Sequence, residues 1–297
     1  MLSLFTGRRF KKDGPRPLNR SACAAWILAV AAGAGVCRAA TNEVPGLALY
    51  LPLDEIRAES FVDLVTTNAI GRAVNVRTTP QGKLNAACTF ERKNSYVRVA
   101  DAPALNPKQF AVTLWFKTEK EVFATRTLLE KGTDRGYALE ISGGGKDKPN
   151  RGKLRAVVNG RSCLSDAPVV NDAWHHAATV FDGHTLKLYV DGVLQKQTAA
   201  VPTELTPNAC DLTLGMNRSA PSAQEKETSL DGALDEVMLF SRALGEAEIK
   251  QVMASARPKF TKQQVERRLK ELKDLLDRGL ILKDFYDRKV QECEVVE

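Results

Sequence analysis

The sequence contains few of the residues on which metal binding and acid–base catalysis most often depend. Of its 297 residues, three are histidines, six are cysteines and 6% are aromatic. The cysteines show no CxxC spacing, and those beyond residue 40 have no histidine close to them in sequence, which argues against a zinc site. No serine or cysteine nucleophile motif accompanies the histidines, His175, His176 and His184.

Positive charge is concentrated at the start of the chain. The formal net charge is +7, but the first 40 residues hold seven basic residues and one acidic residue, which leaves 36 basic and 35 acidic residues beyond them. Nucleic-acid binding depends mainly on the neutralisation of phosphate charge. The nearly neutral remainder therefore argues against a nucleic-acid partner.

The same 40 residues have the pattern of an export signal. A basic stretch at 8–20 precedes an apolar run at 22–36, and small residues follow at 37–40. The apolar run is shorter than the ~20 residues that span a membrane. We predict that residues 1–40 are a signal peptide, that the protein is exported to the periplasm or the extracellular space, and that no membrane insertion remains after cleavage. The alternative is that the leader is not cleaved and stays as a membrane anchor.

Four cysteines would remain after that cleavage: Cys88, Cys163, Cys210 and Cys293. An even number in an oxidising compartment allows disulfides, and four cysteines allow three pairings that sequence does not separate. We expect an intradomain disulfide between two of the first three, with Cys293 free or intermolecular.

Residues 171–195 predict three consecutive antiparallel strands. Apolar and polar residues alternate on either side of Asp182-Gly183, which indicates two strands joined by a tight turn. Asp191-Gly192 predicts a second reversal, because a type I′ turn needs positive φ at both central residues.

This stretch, W-H-H-x-A-x-x-x-D-G followed by L-x-L-Y-V-D-G, resembles the central signature of laminin G-like, concanavalin A-type jelly rolls. The later segment GALDEVMLFSRAL, residues 232–244, resembles another part of the family pattern. The resemblance implies an all-β, two-sheet antiparallel jelly-roll sandwich over residues 41–256.

The resemblance also implies a structural calcium ion, since many relatives hold one with an acidic residue of the strand near 235 and with loop oxygens. Asp235 is the expected ligand here, with Glu91 and Asn94 as partners. Calcium needs six to eight oxygens. The alternative is that Asp235 and Glu236 bind backbone groups or pair with Arg242.

Carbohydrate or glycoconjugate recognition through loops at the rim of the sandwich is the function that the resemblance favours. Lys146, Asn150, Asn217 and Arg218 are the candidate contacts. The alternative is a protein-interaction or cell-envelope scaffolding module, because these loops contain no aromatic residue to stack on a sugar.

A polysaccharide-degrading enzyme is the least favoured alternative. The ExDxxE signature of catalytic relatives is absent, and adjacent Asp235 and Glu236 are expected to point to opposite faces of a strand. We therefore expect a protein that is not an enzyme.

The last segment, 257–297, differs in character from the rest. Apolar residues at helical spacing predict an amphipathic helix that Gly279 ends, and the stripe comprises Val265, Leu269, Leu272 and Leu276. With the Gly-Leu-Ile sequence at 279–281 and Tyr286, the segment resembles the short C-terminal helical hairpins called SHOCT. Such a small unit cannot bury its own apolar face well, so it should dock on the sandwich or on copies of itself. Of these two we expect a homo-oligomer formed through residues 261–292.

Overall fold

The structure is a computed structural model. It describes residues 44–90, 94–118, 124–132, 135–144, 148–196, 198–202, 204–217, 229–255, 259–260, 262–283, 286–287, 290 and 294–295. All of the described residues belong to one compact unit, Arg38–Glu297. The predicted signal peptide lies outside the described residues.

Two antiparallel sheets form the sandwich, and we call the first sheet A. In spatial order it contains β14 (Val193–Leu194), β13 (Thr185–Val190), β12 (His175–Phe181), β7 (Phe110–Thr118), β17 (Gly232–Phe240), β5 (Ala87–Phe90) and β4 (Arg77–Thr79), while β1 (Leu47–Leu51) also pairs with β17 and β15 (Ala199–Ala200) with β13.

Sheet B is the second layer of the sandwich. In spatial order it contains β11 (Arg161–Pro168), β10 (Lys153–Val158), β9 (Tyr137–Ile141), β8 (Arg126–Lys131), β16 (Leu212–Leu214), β6 (Tyr96–Val99), β3 (Ala69–Val74) and β2 (Ser60–Val62). A single-turn 3-10 helix spans Pro103–Leu105. The two antiparallel sheets confirm the predicted jelly-roll sandwich.

The main core lies between the two sheets, where alternate residues of each strand point inward. Phe110, Phe116 and Phe181 come from sheet A, and Tyr137 and Leu214 from sheet B, each at most 2% exposed. Because full burial of such a side chain contributes roughly 1.5–3 kcal/mol, this interior is the principal source of stability.

A second apolar cluster covers part of the outer face of sheet A. Helix α1 (Glu246–Ser255) contributes Ile249 and Val252, which are buried with Val180 of β12 and Phe240 of β17. Residues that alternate with the main core are therefore buried too, which explains why β12 and β17 are apolar on both faces.

The predicted turn chemistry is present in the meander at 171–195. Asp191 has φ +51° and Gly192 has φ +76°, so both central residues between β13 and β14 are in the left-handed region. This confirms the type I′ signal of Asp-Gly.

The C-terminal segment begins and ends in a short parallel pair, β18 (Lys259–Phe260) with β19 (Glu294–Val295). Helix α2 (Lys262–Asp277) lies between them and ends where predicted. Gly279 has φ +68°, and the N–H groups of Gly279 and Leu280 donate to the carbonyls of Leu276 and Leu275, which is the Schellman arrangement. Among the described residues, no helix is long and apolar enough to cross a membrane.

The predicted intradomain disulfide is not confirmed. Cys88, Cys163 and Cys210 are free, and Cys293 lies outside the described residues. Cys88 lies on β5, whereas Cys163 lies on β11, a strand that packs against β13, four strands away from β5 in sheet A. At about 4.8 Å per strand this separation is far beyond the reach of a disulfide.

Candidate functional site

The predicted rim residues belong to loops that follow strands of sheet B. Asn150, between β9 and β10, is exposed, and its carbonyl oxygen accepts a hydrogen bond from the Lys153 N–H at 3.1 Å. Asn217, three residues after β16, is only 7% exposed. Lys146 and Arg218 lie outside the described residues. Asn150 is therefore the described rim candidate whose side chain is open to solvent.

Both sheets contribute to this rim. Arg126 starts β8 opposite Ile141, where β9 ends, and its guanidinium donates to the Ser229 carbonyl at 3.2 Å, just before β17 begins. The Thr118 hydroxyl, where β7 ends, donates to the Asp231 carbonyl at 2.8 Å. Loops from sheet A and sheet B thus meet at one end of the sandwich, which we call the rim end.

Asp235 and Glu236 lie farther inside sheet A, where β17 changes its partner. β17 pairs with β5 through Gly232–Leu234 and with β1 through Val237–Phe240. The register with β7 is also irregular between Asp235 and Met238, and Glu236 has φ +53°. A bulge therefore occurs at the point where one neighbouring strand gives way to the next.

The chain segments that flank this change of partner bind the two carboxyl groups. Asp235 Oδ2 accepts hydrogen bonds from the backbone N–H groups of Lys83 and Leu84 at 2.7 and 2.9 Å. The Tyr50 hydroxyl of β1 donates to Glu236 Oε2. Asp235 is 0% and Glu236 2% exposed. Their buried carboxyl groups therefore hold the segment at 83–84 and β1 against β17.

A third carboxyl group, that of the partly buried Asp54, lies near this pair and accepts the Ala86 N–H at 2.9 Å. Burial raises the pKa of Asp235 well above its ordinary value, the charge of Glu236 raises it further, and the two backbone N–H bonds oppose the shift. Burial also raises the pKa of Glu236 to about 8, against the Tyr50 hydrogen bond. The cluster therefore retains a proton at neutral pH.

The expectation that Asp235 and Glu236 point to opposite faces is wrong. Asp235 is directly opposite Trp115 on β7, and Glu236 reaches Tyr50, which belongs to the apolar cluster on the outer face of sheet A. The left-handed conformation of Glu236 adds a residue to β17, so strict alternation does not hold there. Neither carboxyl group pairs with Arg242, whose guanidinium binds Glu248.

A row of buried polar side chains continues from Asp235 across two more strands. Trp115 is opposite both Asp235 and His176, its ring centroid is 5.2 Å from that of His176, and Lys83 Nζ lies 4.3 Å from the Trp115 ring. Burial lowers the pKa of His176 to about 4; the charge of Asp191 opposes this and that of Lys83 adds to it. Trp115 Nε1 and His176 Nδ1 have no hydrogen-bond partner among the described residues.

Sequence reasoning did not identify Lys83, Tyr50 or Asp54 as partners of the acidic pair. The hydrogen bonds from Lys83 and Tyr50 span 152 and 186 residues. A pattern of neighbouring residues cannot predict a contact over such a distance in sequence. These residues come together only because β1 and β5 pair with β17.

Two of the three expected calcium ligands, Asp235 and Asn94, lie among the described residues. One oxygen of Asp235 is engaged by backbone N–H groups, and the other, Oδ1, has no hydrogen-bond partner among the described residues. Asn94 lies in the turn before β6, where its carbonyl accepts from Asn75 Nδ2 at 3.2 Å, and Glu91 lies outside the described residues. In the part of the chain that the structure describes, no three His, Cys, Asp or Glu residues are grouped to hold a metal. Calcium at Asp235 stays a prediction.

Comparison with solved structures identifies similar sandwiches in proteins of low sequence identity. Domain 4 of AbnA, an extracellular arabinanase from Geobacillus stearothermophilus solved with arabinotriose, is 18% identical with a TM-score of 0.53, covering 69% of this chain and 97% of that domain. The binding domain of Paraclostridial Mosquitocidal Protein 1 is 15% identical with a TM-score of 0.55, covering 71% and 52%. A Trypanosoma rangeli sialidase solved with sialic acid is 14% identical with a TM-score of 0.53, covering 70% and 33%.

The chain therefore spans nearly all of the arabinanase domain, about half of the mosquitocidal binding domain and a third of the sialidase. These similarities show the fold alone. No curated protein matches the chain significantly. Residues 91–250, more than half of the chain, match the family Laminin_G_3. The chain belongs to this family of the concanavalin A-like lectin/glucanases superfamily.

Proposed function

We propose that this chain is an exported, non-catalytic binding module that recognises carbohydrate or glycoconjugate at the rim end. The observation that carries the proposal is the convergence there of loops from both sheets, with the exposed Asn150 side chain among them. An amide side chain offers both donors and an acceptor, as recognition of sugar hydroxyl groups requires.

Two of the similar structures support a binding role. The arabinanase domain was solved with arabinotriose, and this chain covers 97% of it. The mosquitocidal relative is itself a binding domain. The proposal extends these properties to the present chain by analogy of fold, so it needs a direct binding test.

The position of the acidic pair supports a non-catalytic role. A retaining glycosidase needs two carboxyl groups about 5–5.5 Å apart on either side of the scissile bond. Asp235 and Glu236 are buried beneath the segment that contains Lys83 and Leu84, and each is bound by another part of the fold. Their arrangement suits the anchoring of β1 and of the segment before β5.

The tail is proposed to multimerise the module. Leu280 and Leu282, in the turn after α2, are 59% and 71% exposed. Contact between copies would remove this apolar surface from water and would bring several weak sugar sites together, which raises overall affinity through effective concentration. Sedimentation of the parent and of a Leu280→Ser/Leu282→Ser variant tests this. A monomeric parent at high micromolar concentration contradicts it.

A protein-binding or envelope-scaffolding role is the second candidate, and an exposed apolar edge favours it. Val193 and Leu194 of β14, at the end of sheet A, are 61% and 41% exposed. An unpaired strand edge with apolar side chains can accept a strand from a partner.

A glycan-array screen of the folded protein, with calcium and with a chelator, separates the two candidates. We expect selective binding that Asn150→Ala weakens and that Asn68→Ala, an exposed asparagine in the turn between β2 and β3, leaves unchanged. Loss of binding on chelation would support the predicted calcium ion. Absence of binding by folded protein would contradict carbohydrate recognition and favour a protein partner.

A further inference from the structure

A lysine ammonium group is completely enclosed at the end of the sandwich opposite the rim end. Lys131 is the last residue of β8 and is 0% exposed. Its Nζ donates to Asp101 Oδ1 at 2.7 Å, to the Asn208 carbonyl at 3.1 Å, to Asn208 Oδ1 at 3.3 Å and to the Cys210 carbonyl at 2.6 Å. Burial of a lysine is costly unless its charge is paired and hydrogen-bonded, and these four oxygens meet that requirement.

Bonds that do not involve the ammonium group hold these oxygens in place. Asn208 Nδ2 donates to the backbone carbonyls of Lys131 and Arg135 at 3.3 and 2.6 Å, and the Asn208 N–H donates to Asn106 Oδ1 at 3.1 Å. The Cys210 N–H donates to Asn208 Oδ1 at 3.0 Å. The loop from 208 to 210 therefore has its own support on β8 and on the segment after the 3-10 helix.

Asp101, which supplies the carboxylate oxygen of this set, is also held by bonds to other residues. Its backbone N–H donates to Asp211 Oδ1 at 3.0 Å, and its own Oδ1 accepts from Asn106 Nδ2 at 2.8 Å. The hydrogen bond from Lys131 is the largest cause of a lowered pKa at Asp101. The carboxylate is thus held ionised beside the ammonium group.

The set of four oxygens has the composition of a site for a hard metal cation. It contains one carboxylate, one side-chain amide oxygen and two backbone carbonyls, which are the ligand types that calcium takes in proteins at 2.3–2.6 Å. Two of the distances to Nζ, 2.6 and 2.7 Å, lie at or just above this range, and the two to Asn208, 3.1 and 3.3 Å, are about 0.5–0.7 Å longer than its upper limit, so Asn208 must move closer to bind a metal ion.

We propose that Lys131 Nζ is a tethered cation that fills a metal-type oxygen site, so that this end of the sandwich closes without a metal ion. The consequence for ligand chemistry is specific. When the lysine is shortened, the four oxygens remain and take calcium, with water completing the coordination shell. Because the site has a single formal negative charge, its affinity lies in the weak range of about 10⁻⁴–10⁻³ M.

Thermal unfolding of the full-length protein with about 10 mM calcium chloride, and with magnesium chloride at equal ionic strength, tests the proposal. We compare the parent with Lys131→Ala, which vacates the site, and Lys131→Met, which keeps the apolar stem and blocks the site. A change in the Tm of the parent on addition of calcium reports calcium bound at another site. It is subtracted from the change in the Tm of each variant. For Lys131→Ala we expect a lower Tm that calcium raises by roughly 3–11 °C more than in the parent, the range that the expected affinity implies.

For Lys131→Met we expect a lower Tm without this additional response. Lys131→Ala/Asp101→Asn should also lose it, because the carboxylate is gone. Equal calcium responses in the alanine and methionine variants, or none beyond the parent, overturn the proposal. If Lys131→Ala does not fold, refolding with and without calcium decides: folded protein only with calcium supports the tethered-cation role, and no folding in either condition overturns it.

Discussion

Replacement of His176 by phenylalanine should make the protein less sensitive to mild acid. The imidazole is 2% exposed, it lies against the Trp115 ring, and burial holds its pKa near 4 instead of 6.5. Phenylalanine retains an aromatic ring at this position and removes the titrating group.

The sign and size of the effect come from proton linkage. Above pH 6.5 the ring is neutral in the folded and unfolded chain, so it adds no pH dependence. Between pH 6.5 and about 4 the unfolded chain binds a proton that the folded chain does not, so the free energy of unfolding falls as the pH falls. At ~1.36 kcal/mol per pH unit, the titration of His176 lowers the free energy of unfolding by about 2 kcal/mol between about pH 7.5 and about pH 5.

Urea unfolding at several pH values between those limits measures the effect. The quantity to compare is the difference between parent and His176→Phe, because the raised pKa values of Asp235 and Glu236 act in the opposite direction and hide the trend in the parent alone. That difference should shift by about 2 kcal/mol in favour of the variant at the acid end. His184→Gln, at an exposed histidine, is the control. Parallel curves for parent and His176→Phe would refute the reasoning.

One further substitution tests Glu236, at the point where β17 changes its partner. Another tests the close approach of Gly215 to the Phe90 ring, and a third is its control. Glu236→Gln should gain stability relative to the parent as the pH rises from about 5 to about 9, by about 4 kcal/mol, because over most of this range the unfolded parent releases the Glu236 proton and the folded parent keeps it. Urea unfolding at both pH values checks this, and a constant difference contradicts it. Gly215→Ala should lower the free energy of unfolding by about 3 kcal/mol or more, because φ is +82° and a Cβ would lie 2.2 Å from the Phe90 ring. Gly160→Ala, with φ +73° and nothing within 4 Å, isolates the backbone cost of about 1 kcal/mol; equal losses in the two variants contradict the steric explanation.

Features determined by neighbouring residues were predictable from the sequence. Asp191-Gly192 adopts two positive φ values, and Gly279 ends α2, because in each case a short segment alone specifies the backbone. The backbone period of two also places His175 and His176 of β12 on opposite faces of sheet A. His175 contacts Phe116, a residue of the main core, and His176 contacts Trp115 on the outer face. These local rules gave the turns and the strands, whereas the two-sheet sandwich was what the family resemblance of residues 171–195 and 232–244 implied.

The acidic pair shows where local rules stop. Alternation predicted opposite faces for Asp235 and Glu236, and no glycine or proline marks a bulge at either position. The bulge arises because β5 and β1 both pair with β17 and meet beside it, a consequence of strands far apart in sequence. A pattern read from one strand cannot contain this information.

The same long-range origin explains why the cluster suits an anchoring role. Asp235, Glu236 and Asp54 meet donors from β1 and from the segment before β5 only after both strands have paired with β17. Until then each carboxyl group is hydrated, and burial without these donors would be unfavourable. All of these hydrogen bonds therefore exist only when β5 and β1 are both paired with β17. The buried polar groups at this change of partner thus favour the observed strand order of sheet A over its alternatives.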